Sequence, residues 1–152
     1  MTTKLRNFSI SVRTSASYQR TIANLRDALR RYGFETICQL PLDRELERTV
    51  GLYWRHCTVL VVWSPIEAYQ VVLSHRDGGL LVPFHLCVAE DGNSTFISVI
   101  NHEALSPNYH PLGLQVLVRG LVDKIHEVLL EVAIQEEPGQ DCEAQGTEAS
   151  RF

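Results

Sequence analysis

The step Asp91-Gly92, set between LLVPFHLCVAE and NSTFISVI, constrains the fold of this chain more than any other feature. An Asp-Gly pair between alternating segments favours a two-residue hairpin, because glycine takes the positive φ such turns need. With Asp91 and Gly92 as the loop residues, Glu90 opposes Asn93 and the register runs back from there. Val82, Phe84, Leu86 and Val88 then share the predicted core face with Ile97 and Val99. On the other face His85 falls opposite Ser98, and Cys87 opposite Phe96. Pro83 has no N–H for a ladder, so this strand is expected at a sheet edge or bulged there.

The segments around the hairpin supply the other elements. Residues 5–14 alternate, with Phe8, Ile10 and Val12 on one face of a half-buried strand. Ser15 to Ser17 offer an N-cap, and a helix follows to about Tyr32 with a stripe of Ile22, Leu25, Leu29 and Tyr32. Gly33 ends it. FETICQL, residues 34–40, reads as a second strand. PLDRELERTVG reads as a short helix, with Leu42, Leu46 and Val50 stacked and Gly51 closing it. HCTVLVVW, residues 56–63, fits a strand covered on both faces.

Ser64-Pro65-Ile66-Glu67 then has the pattern of a helix start, with a capping serine, proline at the first helical position and a returning glutamate. Tyr69, Val72 and Leu73 are expected to face the core, and Asp77-Gly78-Gly79 to end this helix. A last helix, residues 112–135, carries a stripe of Leu114, Leu117, Val118, Leu121, Ile125, Val128, Leu129 and Val132. Val116, Val122 and Leu130 widen it, so this helix is either wrapped by other elements or carries a partner surface. The order of elements predicts an α+β two-layer fold: a mostly antiparallel sheet, helices on one face and a long C-terminal helix.

The chain has 152 residues and 45% apolar composition, which suits one domain with a real core. That domain is expected over residues 1–135, and an acidic, disordered tail over 136–152. From Glu136 onward there are five acids and one base, so the whole formal net charge of -4 falls in this tail. Residues 1–135 are balanced. Arg26, Arg30 and Arg31 share one helix and read as a solvated face, so nucleic acid is not an expected partner. No apolar run approaches a membrane span, and the first residues lack the hydrophobic stretch of a secretory signal. The chain is therefore read as soluble and cytoplasmic. Its four cysteines, Cys38, Cys57, Cys87 and Cys142, form no C-x-x-C pair and read as free thiols.

No catalytic motif stands out. There is no G-x-S-x-G, G-x-G-x-x-G or phosphate-binding glycine loop, and Ser64 is explained as a helix cap. Trp54 with Arg55 reads as surface cover. His85 and Cys87 lie two apart on one strand and share a face, which makes them the best candidate pair for a metal. The candidate metal ligands are His85, Cys87 and His56. The candidate ligand-binding set is His85, Cys87, Phe96, Ser98 and Trp63. No cofactor is specified, although His85 beside Phe96 would suit a haem. The function read from these residues is a homodimeric small-ligand-binding or assembly module, taking a small apolar molecule between sheet and helix. The alternative is a metal- or haem-dependent enzyme or sensor centred on His85, with Cys87, His56 or His75 assisting.

The block from Gly51 through Ile100 carries an ordered series: Val50-Gly51, Ser64-Pro65, Asp77-Gly78-Gly79, Leu80-Leu81-Val82-Pro83, Glu90-Asp91-Gly92 and Ser98-Val99-Ile100. In order and spacing it resembles family 302 among the domains of unknown function, with a likeness covering about residues 5–135. The resemblance implies a fold similar to the TATA-binding-protein-like class, a curved antiparallel sheet packed by helices, and a homodimer. It implies no established activity. Relatives commonly carry Cys-Asn-Pro where this chain has Trp63-Ser64-Pro65, and Pro-Cys where it has Pro83-Phe84. Cysteine chemistry at those two positions is therefore not implied here.

Overall fold

The computed structural model describes residues 4–6, 8–102 and 112–135. The tail expected at 136–152, with Cys142, lies outside them, as does most of the stretch before the last helix. One sheet holds six strands: β1 (Lys4–Arg6), β2 (Ser9–Thr14), β3 (Glu35–Pro41), β4 (Cys57–Trp63), β5 (Phe84–Asp91) and β6 (Ser94–Ile100). Their spatial order is β1-β2-β6-β5-β4-β3, and all neighbouring pairs are antiparallel. Helices α1 (Tyr18–Arg31), α3 (Pro65–Ser74) and α4 (Leu112–Ile134) form the second layer. The short helix α2 (Leu42–Val50) links β3 to β4, and a 3-10 turn, Arg76–Leu80, follows α3. This is the α+β class that the element order predicts.

Alternation along the strands decides what is buried. Leu60 and Val62 of β4, Phe84, Leu86 and Val88 of β5, and Ile97 and Val99 of β6 point into the helix layer. They meet Leu25, Ala28 and Leu29 of α1, Phe34, and the α4 residues Leu121, Ile125, Val128 and Leu129. Each such side chain removed from water contributes about 1.5–3 kcal/mol. The broad α4 stripe is used inside the fold. This helix packs against α1, α3 and β2, and Val122 is buried, leaving Val116 and Leu130 exposed.

Several expectations are corrected. Residues 5–14 are not one strand: the chain reverses between Arg6 and Ser9, and Phe8 goes into the reversal and is exposed. The strand after Pro83 is interior, between β4 and β6, and begins at Phe84. Pro83 therefore sits just before the ladder and removes no bond from it. The hairpin loop is Gly92-Asn93, because Asp91 still pairs with Ser94. Gly92, with φ 62°, takes the first loop position. Partners shift by two, so Cys87 faces Ser98 and Ala89 faces Phe96. A shift of two preserves every face, which is why the core prediction holds despite the wrong register.

The strand expected to be covered on both faces is buried on one; Val59 and Val61 are only half-buried and Trp63 is exposed. No residue of α2 is buried, so Leu46 and Val50 are not core. On α3 the buried face is Ala68 and Val71, while Tyr69, Val72 and Leu73 point outward. Two small side chains let α3 lie close to the 3-10 turn and α4, and a contact that narrow leaves the larger residues outside.

The start of α3 also departs from a capping box. Ser64 makes no side-chain bond to the helix N–H groups; its hydroxyl donates to Glu67 instead. Lys124 of α4 donates to the other Glu67 oxygen at 2.7 Å. The Lys124 bond first, and the Ser64 bond second, hold the Glu67 carboxyl at about 2, below its ordinary 4.5. A depressed folded pKa stabilises the native state above the unfolded value and loses that contribution as pH falls. The expected effect, discounted for a side chain 28% exposed, is about 1–2 kcal/mol lost between about pH 5 and pH 2. Urea midpoints of wild type and Glu67→Gln should therefore differ at pH 7 and draw together as pH falls from about 5 towards 2. A gap that stays constant would contradict the assignment.

Candidate functional site

The helix side of the sheet carries a groove of about 660 Å³, a volume typical of small-molecule sites. One wall is α1, which presents Tyr18, Ile22, Arg26 and Arg30 at helical spacing. The opposite wall is the end of β3 with Gln39 and Pro41, followed by Asp43 and Arg44 in the first turn of α2. The floor comes from His56 and Thr58 at the start of β4.

The polar groups in this groove are organised around Tyr18. Its ring stacks on His56, with centroids 5.1 Å apart and planes at 19°. Its hydroxyl donates to Thr58 Oγ1 at 2.6 Å. Burial raises the Tyr18 phenol above its ordinary value and outweighs the opposing effect of Thr58, so it remains a donor at neutral pH. His56 Nδ1 lies 3.3 Å from Asp43 Oδ2. Asp43 Oδ1 is buried and finds no hydrogen-bond partner among the described residues. A buried carboxylate oxygen left without a donor is costly, and a ligand N–H or O–H would satisfy it. Arg26 reaches Gln39 at 3.5 Å, and Arg30 pairs with Asp27 at 3.3 Å on an exposed surface. The groove thus offers cationic groups, a flat ring stack and an unmet acceptor. Among the described residues no activated nucleophile stands beside the His56–Asp43 pair.

The residues singled out in the sequence fall elsewhere. Trp63, His85, Cys87, Phe96 and Ser98 all lie on the sheet face opposite the buried core residues of their strands. Cys87 and Ser98 are direct cross-strand partners, and Ser98 bonds Ser11 at 2.6 Å. His85 pairs with Val61 and is exposed, and Phe96 pairs with Ala89. His56 does not join His85 and Cys87: it stacks on Tyr18 on the helix side, because neighbours such as His56 and Cys57 point to opposite faces. His75 caps the 3-10 turn, its Nδ1 accepting from the Asp77 N–H. Among the described residues no group of three or more His, Cys, Asp or Glu gathers as a metal site would. Cys57 and Cys87 do meet, with sulfurs 3.7 Å apart. Burial, and next the neighbouring Cys87, push the Cys57 thiol up to about 12.

Tyr18 and Asp43 were absent from the sequence reading. Tyr18 follows a capping serine and Asp43 opens a short helix, and neither carries a motif. His56 was noted, but as a metal ligand. Only the packing of α1 against the end of β3 brings the three together.

The fold and groove define a two-layer α+β domain with a small-molecule-sized recess on its helix side. The chain belongs to the family described as Domain of unknown function DUF302, which it matches over residues 10–132. It is similar to the crystal structure of an uncharacterized conserved DUF302 protein from Bacillus stearothermophilus, with a TM-score of 0.75 and 22% identity. That likeness covers 83% of this chain and 98% of the other, and at this identity it speaks for the fold. No curated protein matches the chain. Among the described residues no helix is long and apolar enough to cross a membrane.

Proposed function

We propose that this domain binds a small molecule in the groove between α1 and the end of β3, as a binding module rather than a catalyst. The buried, unpartnered Asp43 Oδ1 carries this reading, because it calls for a donor that the described residues do not supply. Arg26 and Arg44 in the same groove suit a carboxylate or phosphate, and the Tyr18–His56 stack gives a planar group a surface. The ligand class is therefore a small anion that also carries an N–H or O–H donor. This ligand is more polar than the apolar molecule expected from sequence, because Arg26, Arg30, Asp43 and Arg44 all line the groove.

Thermal melts against a panel of hydroxy acids, amino acids and sugar phosphates test the proposal. A true ligand at 100-fold its dissociation constant stabilises by about 2.7 kcal/mol, which raises Tm by several degrees. Asp43→Ala and Arg26→Ala should abolish the rise. An equal rise in both variants would place the ligand elsewhere.

We read the domain as a homodimer in the cytoplasm. Ile66, Tyr69 and Leu73 sit at i, i+3 and i+7 on the outward side of α3 and are exposed, with exposed Leu80 beyond them on the 3-10 turn. Contiguous exposed apolar surface of this kind favours association. Native mass spectrometry reports subunit number and any retained ligand together. A monomer at all concentrations would remove the assembly part and leave the groove.

A further inference from the structure

Cys57 and Cys87 stand apart from the groove, on the opposite side of the sheet. They are diagonal neighbours on two interior strands, since Cys57 pairs with Ala89 and Cys87 with Val59. Their sulfurs are 3.7 Å apart. Diagonal pairs on an antiparallel ladder have Cα atoms about 7–8 Å apart. A disulfide needs sulfurs at about 2.05 Å and Cα atoms usually within about 6.8 Å. Two interior strands, each bonded on both sides, resist the movement that closure would require. Two thiolates on one tetrahedral centre, with metal–sulfur bonds of about 2.3 Å, stand about 3.8 Å apart. The pair matches that spacing without rearrangement.

We propose that Cys57 and Cys87 form a two-sulfur clamp for a soft d10 cation of the zinc–cadmium class. The cation takes both sulfurs as cis ligands and completes its shell with solvent or a small exogenous ligand. Binding exchanges two S–H protons for two metal–sulfur bonds and involves no electron transfer. Cys87 is half-buried and gives access, while Cys57 is buried beneath the strand surface. His85 lies on the same face as Cys87 but one step further along β5, away from Cys57, so it stays outside the clamp. The site differs from the His85, Cys87 and His56 set, because the sheet separates His56 from the two sulfurs.

Cadmium titration of the full chain carrying Cys38→Ser and Cys142→Ser tests the clamp. The expected result is one ion per chain, two protons released per ion, and a thiolate-to-cadmium charge-transfer band. Cys57→Ser and Cys87→Ser should each abolish the band in protein whose circular dichroism and melting show it folded. A band that survives either change would overturn the proposal, as would a folded parent with no band. Intact-mass analysis with phenylarsine oxide gives a second reading that does not depend on the serine variants. The arsenic of this reagent bonds two thiols with loss of one water, so one adduct that protects both cysteines from alkylation supports the clamp. An adduct that leaves either cysteine open to alkylation overturns it.

Discussion

Replacing Phe84 by alanine is expected to lower the free energy of unfolding by about 3–5 kcal/mol. Phe84 is 1% exposed and opens β5, an interior strand, on the sheet's buried face. Its ring meets Phe34 edge-on with centroids 6.5 Å apart, and His102 edge-on at 5.5 Å. Truncation removes the transfer free energy of the ring and both edge contacts. It also opens a cavity under strands held in place by ladders on either side, so the surroundings collapse little. A domain of this size has a total stability of about 5–15 kcal/mol, so the loss is a large fraction of it. Urea unfolding should show a lower midpoint with an unchanged slope. A loss under about 1 kcal/mol would mean that the Phe34–Phe84 contact is not part of the core. Phe84→Leu, which keeps most of the volume, should lose less.

The second large effect is at Gly78. This glycine, in the 3-10 turn after α3, is buried. A Cβ placed there would lie 2.7 Å from the Val71 carbonyl oxygen and 2.8 Å from Val71 Cγ1. The oxygen cannot move freely, because it accepts the last helical bond from the His75 N–H at 3.1 Å. Gly78→Ala therefore forces the turn away from α3, at an expected cost of about 1–3 kcal/mol. Gly79→Ala is the matched control, since its Cβ would meet nothing within 4 Å. The expected outcome is a melting temperature lowered by several degrees for Gly78→Ala and little changed for Gly79→Ala. Equal effects at both positions would show that loss of glycine flexibility, not the close approach to Val71, is responsible.

What could be read from the sequence follows from how local each signal is. The faces of β5 and β6 were legible because strand side chains alternate with period two, and hairpin chemistry marks the reversal. The register was not, since Asp-Gly and Gly-Asn can both serve as the loop. In the fold Asp91 stays in the ladder, and its carboxylate pairs with Arg55. The orientation of α3 was illegible for a different reason. Ala68 and Val71 on one side, and Tyr69, Val72 and Leu73 on the other, are both apolar, so periodicity selects neither. The small residues face inward because the 3-10 turn and α4 come close.

The candidate sites divide along the same line. Placing His85, Cys87, Phe96 and Ser98 on one sheet face required only alternation, and the fold agrees with it. The Tyr18–His56–Asp43 cluster needed α1 to pack beside β3, which no short-range pattern encodes. The Cys57–Cys87 contact needed the register of β4 on β5, which places them diagonally and which no local pattern encodes. By itself the sequence determined the α+β class, the positions of most helices and strands, and which side of β5 and β6 is core. These depend on turn chemistry and side-chain period within a few residues. Tertiary structure alone decided which side of α3 is buried, how the breadth of α4 is used, and which polar groups converge in a groove. Those depend on the free energy of packing elements distant in sequence, where several arrangements satisfy the same local pattern and only one fills the core.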